Sequence, residues 1–146
     1  MSQYFHIGNE TLWNPSNGAS RMFRHHVALF ESELALPSGI APMENDECQI
    51  DPVAFGTFVH ALLAHHRRTT HGILLALSEG FAATTLALAT RAGIPIEWSR
   101  LRSHPTGPFT DLQVSVTTGM STPADDDSWA EALRERARHL SHHMAR

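Results

Sequence analysis

Histidine is the residue whose number and placement first suggest chemistry. The chain carries 11 histidines among 146 residues, and imidazole is the side chain most easily recruited near neutral pH as a metal ligand or proton carrier. A metal needs converging ligands, which on one helix means spacings of three or four residues. His60, His65, His66 and His71 miss that spacing among themselves. Glu135, His139 and His143 meet it and form the candidate metal set. The plainer reading of these three is a solvated terminal helix, and neither a resident metal nor a cofactor is expected.

A second group could move protons. His66 falls on an apolar phase between Leu62 and Ile73, so it is either a hydrogen-bonded core histidine or a proton acceptor. Glu79 lies inside the apolar run Leu74 to Ala89. It marks either a polar outer face or a buried carboxylate with a raised pKa. With His60, and with His25 facing from an earlier helix, these residues are the candidate catalytic set of a His/carboxylate pocket between helices. Cys48 stands beside Asp46 and Glu47; neighbouring acids raise a thiol pKa, so a cysteine nucleophile is not expected.

Other chemistry is excluded by composition. The chain has no lysine, all 11 basic residues being arginine, so neither a lysine Schiff base nor a phosphate-loop lysine can form. Net charge is -4 and no basic stripe is present, which argues against nucleic acid as a partner. A single cysteine permits no intramolecular disulfide and fits a reducing compartment. Residues 1–9 lack a basic region followed by an apolar run, so no secretory leader is expected. The apolar stretch Ile73 to Ala92 is broken by Ser78, Glu79, Thr84, Thr85, Thr90 and Arg91, so neither a membrane span nor a membrane partner is expected. The expected location is cytoplasmic.

The elements that would hold these residues are mostly helical. Tyr4, Phe5 and Ile7 suit a short strand before a Gly8-Asn9 turn. Phe23, Val27, Phe30 and Leu34 repeat at helical spacing, predicting a helix over about Ala19 to Leu36. Ala41 to Ile50 reads as a loop. Asp51-Pro52 is a helix start, with Asp as cap and Pro at the first position. The apolar stripe then continues to Arg91 as one long helix or as two broken near Thr69 to Gly72, where Thr-Thr-His-Gly has poor helix propensity. Gly93 and Pro95 end it. Ile94 to Arg102 and Phe109 to Thr118 alternate as strands, predicting an antiparallel hairpin over 94–119. An acidic linker over 120–127 precedes a C-terminal helix over 128–146 whose apolar stripe is Trp129, Leu133, Ala137, Leu140 and Met144.

Ser2 to Phe5, Glu10 to Gly18 and Ile50-Asp51-Pro52 resemble an uncharacterised family of short actinobacterial proteins, over most of the first 95 residues. That resemblance implies no activity. A looser likeness is to the helical hairpins of the WXG-type secreted proteins. It rests on Trp13 ahead of the first amphipathic helix, although Trp13-Asn14-Pro15 lacks that motif's glycine.

The expected fold is therefore one domain, mainly α with a small antiparallel β element (α+β): a helical hairpin or bundle, a β-hairpin and a C-terminal helix. A homodimer along the apolar segment 51–91 is expected, with a further protein partner possible. The function these features favour is a non-catalytic interaction or accessory protein acting through amphipathic helical faces. The alternative is a small helical enzyme or small-molecule binder using the His/carboxylate pocket.

Overall fold

The computed structural model describes residues 2–69, 71–101 and 126–146. Strands β1 (Tyr4–Ile7) and β2 (Glu10–Trp13) form a hairpin through a turn whose Gly8 has φ 58°, a left-handed conformation that glycine adopts at little cost. Helix α1 (Asn17–Leu34) follows, with Ser16 Oγ accepting from Ala19 N–H at its start. The polypeptide then returns to the sheet as β3 (Glu47–Gln49). Strand order is β2-β1-β3, with β1 antiparallel to β2 and parallel to β3. The chain is thus α+β, mainly helical, with its described sheet at the N-terminal end.

Helix α2 (Pro52–Arg68) begins where Asp51-Pro52 predicts. One Asp51 carboxylate oxygen accepts from the N–H groups of Val53 and Ala54 at 2.9 and 2.8 Å. Gly39 makes that start possible. It has φ 75°, and a Cβ there would lie 2.8 Å from Ala54 Cβ and from the Phe55 nitrogen. The long apolar segment is two helices. Thr69 leaves α2 with ψ 134°, His71 is extended, and α3 (Gly72–Arg91) starts with no side-chain cap. Gly93, at φ 67°, lets the chain turn out of α3.

Two expectations are corrected: Ala41 to Ile50 is not all loop, since it carries β3, and the segment after Gly93 does not form the expected strand. Ile94 to Leu101, the described part of the expected strand Ile94 to Arg102, is not a strand: Ile94–Glu97 is irregular and Trp98–Leu101 forms the short helix α4. Backbone groups that a sheet ladder would use are taken by other partners. Ile94 N–H bonds Ala89 O, Trp98 N–H bonds Ile96 O, and Glu97 N–H is held by His60. Glu97 and Arg100 also form an ion pair across one helical turn. The expected partner strand, Phe109 to Thr118, lies outside the described residues. Helix α5 (Asp126–His142) ends the fold, starting slightly before the expected 128.

The core is continuous from the sheet through α1 and α2 to α3. Phe5 stacks on Trp13, both meet Phe23 edge-on, and Phe23 and Phe30 pack on Phe81 of α3. Among the described residues α3 is the one helix long and apolar enough to cross a membrane, and half of that stretch is buried against the rest of the fold.

Candidate functional site

Helix α3 presents a second face to α5, where Leu133 and Ala137 join the core and a groove opens beside them. This half-open groove has a volume of about 660 Å³, within the size range of small-molecule sites. Its apolar walls are Leu86 and Ala87 of α3, Ile94, Ile96 and Trp98 of the following segment, and Ala137 of α5. Ala87 and Ala137 are both buried at its floor. Polar groups enter mainly from α5, as Arg134, Arg138, Ser141 and His142, with Thr90 from α3.

Three local devices hold this space open. Arg91, at the end of α3, donates to Leu12 O at 2.6 Å, to Ser141 Oγ and O at 3.1 and 2.7 Å, and to Met144 O at 2.6 Å. This cation therefore ties β2 and the C-terminal carbonyls of α5 to α3, a favourable place for positive charge. Burial, with a smaller contribution from Arg146, lowers its pKa from the ordinary guanidinium value. At the other end the Trp98 and Trp129 rings meet edge-on at 6.2 Å, and the Arg134 guanidinium lies 4.3 Å from the centre of the Trp98 ring. On the third side, the Ile94–Glu97 segment is strapped to α2. His60 Nδ1–H donates to Gly56 O at 2.8 Å and its Nε2 accepts from Glu97 N–H at 2.9 Å, which fixes the tautomer and uses both ring nitrogens. Gly56 lets this strap approach; a Cβ there would sit 3.2 Å from Ile94 Cγ2.

The residues singled out from sequence take other positions. His66 is buried at the end of α2, where Nδ1 lies 2.8 Å from Ser78 Oγ. Ser78 in turn donates to Leu74 O at 2.7 Å, so the proton of the first bond belongs to the imidazole. Burial lowers the His66 pKa, Glu79 opposes the shift and His65 reinforces it. Glu79 is thus close enough to act electrostatically on His66, but it is exposed on α3. His25 is exposed on α1. None of His66, Glu79, His60 and His25 is among the described residues lining the cavity.

On α5 the His139 and His143 rings come within 5.0 Å, while Glu135 is engaged by Arg138 at 3.0 Å. Among the described residues no three His, Cys, Asp or Glu side chains come together as a metal site. Cys48 is fully buried in β3 and donates to Ala41 O at 3.0 Å. Burial, rather than its acidic neighbours, pushes the thiol up to about 11, with Arg24 opposing.

Sequence reasoning passed over Arg134 and Arg138 because arginines beside an apolar stripe usually belong to a solvated face. The available signal was their spacing of four around Ala137, the small residue in a stripe otherwise made by Trp129, Leu133, Leu140 and Met144.

No curated protein and no solved structure matches the chain. A family model does, over residues 1–146, and the chain belongs to DUF6086, a family of unknown function.

Proposed function

We propose that this protein is a non-catalytic binder of a small, largely apolar molecule, held in the cavity between α3 and α5. The observation that carries this reading is the cavity's lining: apolar walls, a few polar groups that are mostly donors, and no carboxylate or thiol among the described lining residues. The two hydroxyls are already engaged, Thr90 Oγ1 donating to Leu86 O and Ser141 Oγ accepting from Arg91. General acid–base chemistry needs a positioned pair of titratable groups, and the His66–Ser78 pair is buried away from this lining.

The test is a fluorescence titration with the neutral dye N-phenyl-1-naphthylamine. Saturable binding is expected, and it should be lost in Thr90→Trp, which puts an indole into the space from an exposed position on α3. Binding that Thr90→Trp leaves unchanged, in a variant with the wild-type far-ultraviolet spectrum, overturns the reading.

A second reading has its own support. Met22 and Leu29 on α1, and Ile73 and Leu77 on α3, are large apolar side chains more than half exposed. His26 of α1 stacks on Phe81 of α3, one turn beyond Leu77, so the two exposed rows belong to neighbouring helices. Such a face suits a protein partner or a second copy of this chain. Sedimentation velocity on the wild type and on Leu29→Glu/Leu77→Glu tests the second-copy form. A dimer that the double variant dissociates is expected; a wild-type monomer at all concentrations removes it.

A further inference from the structure

The polar side of the cavity has one chemical character. Arg134, Arg138 and His142 repeat every four residues along α5 and all contribute to the lining. Arginine offers only donors, in a planar fork matched to carboxylates and other oxyanions. The opposite walls are apolar and no acidic side chain is among the described lining residues.

Among the described residues, the acids that meet these arginines are Glu131 and Glu135. Arg138 Nη2 lies 2.8 Å from Glu131 and 3.0 Å from Glu135, and Arg134 Nη1 lies 3.4 Å from Glu131. All four side chains are at least 39% exposed, and neither glutamate is in the lining. Exposed pairs of this kind are weak and exchange readily. Close by, the indole N–H of Trp129 is buried without a hydrogen-bond partner, on the ring that packs against Trp98. Buried unpaired donors are uncommon in folded proteins.

Resting on the reading of this cavity as a binding site, we propose that its ligand is an amphipathic anion. An aliphatic or aromatic body fills the space between Leu86, Ile94, Ile96 and Trp98, and one acidic group is taken by Arg134 and Arg138 in exchange for Glu131. Trp98 serves both parts, as an apolar wall for the body and as the ring over which the Arg134 guanidinium is held.

The test uses two dyes with one body: neutral N-phenyl-1-naphthylamine and its anionic 8-sulfonate. Titrations compare the wild type, Arg134→Gln/Arg138→Gln, Glu131→Gln and Thr90→Trp. The double glutamine variant should weaken sulfonate binding about tenfold more than it weakens neutral-dye binding, the scale of losing a charge-assisted hydrogen bond. Glu131→Gln should strengthen sulfonate binding about twofold, because a weak competing pair is removed. Raising the salt concentration should weaken the sulfonate alone. Neutral-dye binding that Thr90→Trp abolishes, with sulfonate binding absent or indifferent to the arginines, overturns the anion assignment and leaves the cavity reading standing. Failure of both dyes to bind overturns both.

Discussion

Helix α3 has two faces that meet the rest of the protein in opposite ways. Towards α1 and the sheet, Phe81 is closed in by Phe23, Phe30 and His26, with ring centres 4.8 to 5.7 Å away. Towards α5, the helix offers Leu86, Ala87 and Thr90 to a space of about 660 Å³. The first face is held by area and shape. The second also joins the core, through Leu133, Ala137 and Met144, and an open groove runs beside it between the Arg91 clamp and the Trp98–Trp129–Arg134 stack. Apolar burial that fills an interface contributes stability in proportion to area. A groove beside a packed interface, with apolar walls and donors along one side, is a binding feature.

The largest expected effect breaks the filled face. Phe81→Ala removes the ring on which three others rest and should cost about 4 kcal/mol in urea unfolding, the usual range for a buried aromatic. Arg91→Met should cost about 3 kcal/mol, because it leaves the carbonyls of Leu12, Ser141 and Met144 without their charged donor. It should also loosen α5 selectively, which hydrogen exchange along that helix reports.

A smaller effect comes from His66, which joins the end of α2 to α3 on neither face. Its folded-state pKa is lowered mainly by burial, so the unfolded chain binds more protons. Its contribution is fully present above the unfolded value near 6.5 and is lost as pH falls through the folded value. Unfolding free energy should therefore decline on acidification below about pH 6.5, and His66→Asn should flatten that decline. An unchanged slope in the variant would assign the pH dependence to other groups.

The smallest effect sharpens the contrast. Ile96→Ala, on the wall of the open space, should cost less than about 1 kcal/mol, because half-buried side chains at a void lose few contacts. A loss equal to that of Phe81→Ala would mean that the second face is as closely packed as the first.

What the sequence made legible follows this division. The start of α2 at Asp51-Pro52, the break between Thr69 and Gly72 and the exit at Gly93 all depend on a few neighbouring residues, and each lies where local chemistry puts it. The filled face was also readable, since Phe23, Val27 and Phe30 repeat at helical spacing and are buried. The parallel pairing of β3 with β1 joins Cys48 to Phe5 across more than forty residues, and a strand of three residues has no periodicity to announce it. The alternation Ile96, Trp98 suited a strand equally well, because the hydrogen bond from Glu97 to His60 that bends the segment is a tertiary contact. His66 was legible as a core histidine, while its partner Ser78, twelve residues on, depends on how α2 and α3 pack. The cavity was not legible, because it arises only when Ala87 of one helix and Ala137 of another line the same space.

The most direct measurement is a residue-resolved map of binding: methyl and indole NMR shifts of the full chain during titration with N-phenyl-1-naphthylamine. Perturbations are expected at Leu86, Ile94, Ile96 and the Trp98 indole, with Leu29, Ile73 and Leu77 unmoved. Shifts confined to Leu29, Ile73 and Leu77 would contradict the account and place the ligand-accepting surface on the opposite side of α3.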